Sequence, residues 1–301
     1  MIYKCEPYQA KNVLYRYEEV GSFYKARYGL NPYRGCYVGC RYCYVQQKKY
    51  ADSTGLEEAK KQVVQIKINA PYLLKKKLSS DIEPAMIVIG ESSEPYGEIE
   101  DEYFVTRRLL EVLREREFPI HIITRFSGVL RDIDLIKEIN KKTFACVTVS
   151  VPVVSVGLVK KFEGHSPDIK ERLKTVKELR KNNITAGIAV SPVIPYISDG
   201  EEVNKVLKKA AAYKASYVLT GPLAIKDYQR AMFFSWLEEK FPRLVDSYER
   251  LYGEGENVQQ DYWEKFMSGF RKKALDLNLK VEIPFEAELL PGSRQEMFKL
   301  G

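Results

Sequence analysis

The chain has 301 residues, 45% of them hydrophobic, and its 48 Lys plus Arg against 41 Asp plus Glu leave a formal charge of +7. That much apolar material builds a sizeable core and excludes wholesale disorder. No run of about 18 apolar residues offers a membrane span, and the first residues lack the apolar stretch of a secretory signal, so a soluble, cytoplasmic protein with no membrane partner is expected. A charge of +7 over so large a surface is mild. The 30% charged residues interleave in both signs, as in Arg114-Glu115-Arg116-Glu117, like a solvated, thermophile-like surface. The clusters Lys75-Lys76-Lys77 and Arg271-Lys272-Lys273 keep nucleic acid open as a partner.

Residues 1–23 read as a polar, Tyr-rich lead with no strong period. A first strand over 24–31 delivers the loop Asn31-Pro32-Tyr33-Arg34-Gly35-Cys36-Tyr37-Val38-Gly39-Cys40-Arg41-Tyr42-Cys43-Tyr44. Short helical stretches follow at 57–64 and 69–79. The run 84–90 is almost continuously apolar, as a parallel strand covered on both faces requires. Residues 99–116 place Phe104, Leu109, Val112 and Leu113 at helical spacing behind carboxylates that suit a helix N-terminus. The pattern then repeats: strand 118–124, helix 132–141, strand 144–151, helices 156–162 and 168–182, strand 184–193, helix 201–213, strand 216–220 and helix 225–240. A helix at 259–277, a short strand at 280–283 and an irregular tail at 284–301 close the chain. Alternation of this kind argues for a parallel sheet with crossover helices. The fold expected is α/β, a partial, open (β/α)6 TIM-like barrel over 24–240, with the lead 1–23 before it and a helical extension and tail, 241–301, after it.

Five cysteines are present, and three fall within eight residues. An odd count without a secretion signal argues against a disulfide framework, and clustered thiols point to metal. A structural zinc site wants four ligands. The remaining candidates, Cys5, Cys146, His121 and His165, are all far along the chain. Cys36, Cys40 and Cys43, spaced by three and then two residues, wrap a short loop around three corners of a cubane and leave the fourth iron without a protein ligand. A cluster used only for electron transfer normally has four Cys ligands. Three ligands and an open corner suit a cluster that binds something else. The alternative is a non-catalytic module holding zinc or a passive cluster.

The spacing Cys-x3-Cys-x-aromatic-Cys, with Tyr42 in the aromatic slot, resembles the signature of the radical S-adenosylmethionine (radical SAM) superfamily. The resemblance implies a [4Fe–4S] cluster on Cys36, Cys40 and Cys43 whose open iron is chelated by the amine and carboxylate of SAM. It also implies an electron donor, ferredoxin- or flavodoxin-like, and a 5′-deoxyadenosyl radical that abstracts hydrogen from a substrate. Ligands of parallel α/β sheets bind at the carboxyl ends of strands, and the candidate SAM contacts fall there. Gly90, Glu91, Ser92 and Ser93 follow the second strand, facing the SAM amino group. Arg125 follows the third and offers a bidentate fork to the carboxylate, or else serves as a rim ion pair. Ser150 ends the fourth strand within reach of the ribose, and Ser191 lies at the end of the fifth, near the adenine. His121, inside a strand, reads as an inward-facing core residue, and His165 as a surface residue flanking a helix. Burial is the favoured reading for Cys146, over a role as hydrogen-atom donor.

Several segments resemble more narrowly the spore photoproduct lyase-like branch, including relatives labelled DNA repair photolyase. These are Tyr42-Cys43-Tyr44-Val45-Gln46, Glu94-Pro95-Tyr96, Thr124-Arg125 with Leu130-Arg131-Asp132, Glu163-Gly164-His165-Ser166-Pro167 with Glu171-Arg172-Leu173, and Pro192-Val193-Ile194-Pro195-Tyr196-Ile197. One departure matters: where the lyase places a hydrogen-donating Cys after the second strand, this chain has Ser92-Ser93. Tyr44 matches a tyrosine of the lyase's radical relay, to pass a hydrogen atom or to pack against the cluster. Nucleic acid is the first substrate expected from the resemblance, and a peptide or protein side chain the second.

Overall fold

The computed structural model describes residues 4–21, 23–46, 63–79, 82–225 and 227–286. In chain order the strands are β1 (Lys4–Tyr8), β2 (Leu14–Arg16), β3 (Tyr28–Leu30), β4 (Tyr33–Arg34), β5 (Val63–Lys67), β6 (Ile87–Ile89), β7 (Ile120–Thr124), β8 (Ala145–Ser150), β9 (Thr185–Val193) and β10 (Val218–Pro222). The helices are α1 (Ala70–Lys77), α2 (Glu98–Tyr103), α3 (Val105–Arg116), α4 (Ile133–Lys142), α5 (Val156–Phe162), α6 (Ile169–Lys181), α7 (Glu201–Ala212), α8 (Asp227–Lys240), α9 (Val245–Tyr252) and α10 (Gln260–Asp276).

The six runs expected as buried parallel strands all pair in one sheet, ordered β10-β9-β8-β7-β6-β3-β2. From β3 to β10 every pairing is parallel, and β2 caps the edge antiparallel to β3. The end strands β10 and β2 do not pair with each other. This is the partial, open TIM-like barrel the alternation implies. Strands β3, β6 and β8 are completely buried. Ile120, Ile122, Val147 and Val149 meet Leu109, Leu113, Ile136, Val176 and Leu179 from the crossover helices in one core.

The fold differs from the expectation in five places. The lead is not featureless: β1 and β2 lie within it, half-exposed and therefore without an apolar period. β1 joins β5 and β4 in a second, three-stranded sheet. The helix expected at 57–64 lies outside the described residues up to 62, and Val63 and Val64 are strand, paired with Lys4 and Cys5 of β1 respectively. The single helix expected at 99–116 is two, broken at Phe104 with φ of 50°. At 280–283 a lone bridge between Tyr217 and Lys280 replaces the expected strand. Helix α9 was not anticipated.

The C-terminal helices matter for the site. Phe233, Trp236 and Leu237 of α8 and Tyr248 of α9 form a second apolar cluster with Phe162, and Val38, Cys40 and Tyr42 of the cysteine loop belong to it. Among the described residues, no helix is long and apolar enough to cross a membrane.

Candidate active site at the carboxyl ends of the strands

The cysteine loop leaves β4 through Gly35, whose φ of +84° and whose closeness to Val63 (a Cβ would stand 2.6 Å from its carbonyl oxygen) both require glycine. Backbone bonds then pin the loop: Cys43 N to Cys40 O at 3.2 Å, Arg41 N to Phe162 O at 2.8 Å and His165 N to Val38 O at 2.9 Å. Gln229 of α8 donates to Tyr42 O at 3.1 Å. All three thiols are free, Cys40 buried and Cys36 and Cys43 half-buried. Burial pushes the Cys36 thiol up to about 11 and raises Cys40 and Cys43 as well, and the three thiols interact electrostatically with one another. Among the described residues, no three His, Cys, Asp or Glu converge as a site for a single metal ion.

A cavity of about 300 Å³ opens beside the loop at the strand ends. Cys36, Tyr42, Cys43, Tyr44, Gly90, Glu91, Ser92, Ser93, Arg125, Ser150 and Ser191 all line it. Cys40 alone of the sequence-predicted site residues is not in its wall. Gly90 turns the chain out of β6 with φ of +87°, where a Cβ would stand 2.5 Å from the Ile123 carbonyl oxygen. Phe23, Tyr24, Leu223 and Ala224, which the sequence did not single out, add an apolar wall.

Two polar networks shape the cavity. Glu91 accepts from the Tyr15 phenol and, at 3.3 Å, from Asn31 Nδ2. The Tyr44 phenol donates to the Glu91 carbonyl oxygen and lies 3.0 Å from its Oε2. Asn31 Oδ1 accepts from Ser92 N at 3.1 Å, fixing the turn after β6. On the other side, buried Glu94 accepts from the Thr124 hydroxyl and from Arg125 N and Tyr96 N, both at 3.1 Å. Its carboxyl is raised by burial, against the pull of those donors. Arg125 Nη2 donates to the Tyr42 phenol at 3.3 Å, and Arg125 Nε lies 3.7 Å from Glu163 Oε1. Arg125 thus lines the cavity and is also an ion-pair partner of Glu163. Tyr15 and Tyr24 escaped sequence reasoning because their partners lie far along the chain, whereas Asn31, Glu94 and Glu163 fell within quoted motifs but were given no role.

The isolated groups sit elsewhere. His121 is fully buried below the cavity, with Nδ1 3.1 Å from Tyr24 O and Nε2 2.7 Å from Thr148 Oγ1. Cys146 is buried at the barrel floor with Tyr217, away from the cavity lining, and its thiol is pushed up to about 12 by burial. His165 is exposed beside α6, and Cys5 is half-buried in β1.

A sequence model described as the Radical SAM superfamily matches residues 30–210. An uncharacterized protein of Mycobacterium bovis is 29% identical over 241 residues, 79% of this chain and 71% of that protein. A radical SAM Nα-GlyT isomerase of Pseudomonas phage M6 is 27% identical over 194 residues, 62% of this chain and 38% of its own length. Among solved structures, spore photoproduct lyase complexed with a dinucleoside spore photoproduct superposes with a TM-score of 0.67 at 15% identity, over 92% of this chain and 81% of that one. That likeness is one of fold. The family match spans most of the barrel, from just ahead of the cysteine loop into α7. This chain belongs to the radical SAM superfamily, and it is an enzyme that works with a [4Fe–4S] cluster and S-adenosylmethionine.

Proposed function

We propose that Cys36, Cys40 and Cys43 hold the [4Fe–4S] cluster by three irons, that SAM occupies the adjoining cavity, and that the substrate is a nucleic-acid base or a repair-type lesion. One observation carries the reading: a single cavity joins two of the three cysteines to the loops that follow the second, third, fourth and fifth barrel strands. The donor set fits the group. Three free thiols on one pinned loop face each other's charge, and no other Cys or His lines the cavity. The Ser93 hydroxyl, buried in the cavity wall, has no hydrogen-bond partner among the described residues. Such an orphaned group is explained by a ligand.

Held by Cys36, Cys40 and Cys43, the cluster would supply one electron for reductive cleavage of the SAM sulfonium, giving methionine and a 5′-deoxyadenosyl radical. The chain's own residues position and protect. Gly90 lets backbone approach the amine, Arg125 presents a guanidinium to the carboxylate, and Ser150 and Ser191 offer hydroxyls toward ribose and adenine. Phe23, Tyr24, Leu223 and Ala224 exclude water from the cavity. Tyr44, beside Cys43, keeps its phenol hydrogen-bonded to Glu91, an orientation that suits the passing of a hydrogen atom.

Two observations favour nucleic acid as substrate. A groove lined by Trp263, Met267 and Arg271 shares Phe23 and Pro222 with the cavity, so an aromatic surface and a cation flank the way in. The fold is also similar to that of a lyase complexed with a dinucleoside spore photoproduct.

Anaerobic reconstitution followed by dithionite and SAM tests the cluster assignment. The protein is expected to form 5′-deoxyadenosine, and Cys43→Ala to lose both iron and that product; a protein that reconstitutes with zinc alone and forms none would overturn it. For the substrate, binding of DNA and RNA is expected to weaken steeply with salt and to fall further in Arg271→Glu. No binding at low ionic strength would remove nucleic acid in favour of a peptide or protein side chain.

A further inference from the structure

We infer that the buried Glu163–Arg172 pair is a positioning device: it aims Arg125 and holds Tyr42, and so sets the affinity for the SAM carboxylate without touching SAM. The inference rests on the assignment of Arg125 to that carboxylate. Glu163 follows α5 and Arg172 lies in the first turn of α6, and both side chains are fully buried. The two oxygens of Glu163 divide their work. Oε2 accepts from Arg172 Nη2, while Oε1 accepts from the Tyr42 phenol and faces Arg125 Nε at 3.7 Å. Arg172 is committed at every nitrogen: Nε donates to Pro167 O at 2.9 Å and Nη1 to Ser150 O at 3.2 Å. One pair therefore ties together the cysteine loop through Tyr42, the cavity wall through Arg125 and the end of β8 through Ser150.

The charge count explains why two arginines are used. Glu163 stays ionised, because although burial raises its pKa, Arg125 and Arg172 outweigh that and hold the carboxyl below its usual range. One carboxylate between two guanidiniums leaves a surplus positive charge, and Glu94, which accepts from Arg125 N, has its carboxyl raised by burial and so offsets that surplus less than an exposed carboxylate would. Arg172 is enclosed, so the surplus appears at the cavity, on Arg125, whose side chain is 18% exposed. A buried ion pair is a poor way to gain stability over apolar packing. It is a good way to fix a cation and a phenol in one orientation, since an Arg fork fixes geometry as well as charge.

The test compares SAM with decarboxylated SAM in protein reconstituted anaerobically, with dissociation constants normalised to iron content. Glu163→Gln keeps the size of the side chain and removes the charge that aims Arg125. It is expected to weaken SAM about tenfold, the scale of one charge-assisted hydrogen bond, while decarboxylated SAM changes little. Tyr42→Phe, which removes one hydroxyl and leaves the ion pairs, is expected to shift the same ratio by about threefold; it carries the test if Glu163→Gln does not fold. A purely structural pair would lower thermal stability and leave the ratio of the two ligands as in the wild type, and that result overturns the inference. A wild-type protein that forms no 5′-deoxyadenosine and binds neither ligand would instead overturn the functional assignment on which the inference rests.

Discussion

At the scale of single residues, burial fixes protonation states. His121 Nδ1 faces the Tyr24 carbonyl oxygen and must carry the proton, so Nε2 accepts from the Thr148 hydroxyl. Thr148 then accepts from the Tyr217 phenol at 2.7 Å. Both ring nitrogens and the Thr148 hydroxyl are satisfied with the imidazole neutral, and burial lowers its pKa to about 4. The unfolded chain takes up a proton near pH 6.5, whereas the folded protein refuses it until about pH 4. Stability is therefore full above about pH 6.5 and falls as the pH drops through that window, by up to about 3 kcal/mol. His121→Gln is expected to flatten the fall in urea-unfolding free energy between pH 7 and 5. Parallel slopes for the two proteins would refute this account.

At the scale of elements, the junction of α2 and α3 shows how one carboxylate organises a loop of the site. Phe104 ends α2 in a left-handed conformation, and no side chain at that position caps α3. Glu100 does so from the preceding helix, accepting from Thr106 N at 2.9 Å and Arg107 N at 3.1 Å. It also accepts from the Tyr33 phenol and from Arg131 Nη2 at 2.9 Å, which anchors β4 beside the cysteine loop. Glu100→Ala would leave two helix N–H groups and a buried phenol without partners. We expect a loss of about 2–4 kcal/mol in urea unfolding, and a smaller loss for Glu100→Gln. The expected helix 99–116 was broken by this contact: α2 carries acids that local spacing reads as a helix start, but Tyr33 and Arg131 decide where Glu100 points.

At the scale of the whole molecule, the site lies at one end of the barrel and a strap closes the other. After α10 the chain returns across the amino ends of the strands, with Val218 N donating to Lys280 O at 2.8 Å. Ile283 is completely buried against Cys146, Tyr217 and Leu219. Phe285 packs 5.1 Å from Phe144, and Lys25 pairs with Glu282 at 2.8 Å. Ile283→Ala is expected to cost about 2–4 kcal/mol, as cavity-creating substitutions do, and to leave 5′-deoxyadenosine formation per folded molecule unchanged. Thermal unfolding and a rate assay check the two halves of that statement separately, and a lost rate at full stability would show that the floor communicates with the site.

Local chemistry alone determined the six barrel strands and the cysteine loop. A continuous apolar run such as 84–90 has few fates other than a buried strand, and three thiols within eight residues stay on one short loop whatever the rest of the chain does. Tertiary structure decided the rest. The strands β1, β2 and β4 lack an apolar signature, and β5, though apolar at Val63, Val64 and Ile66, is too short for periodicity to separate strand from helix. The groups that orient the site are paired across long gaps: Tyr15 with Glu91, 76 residues apart, and Tyr42 with Glu163, 121 apart. A hydrogen bond between such residues has no period or spacing to betray it, because its geometry exists only once the barrel has brought the strand ends together.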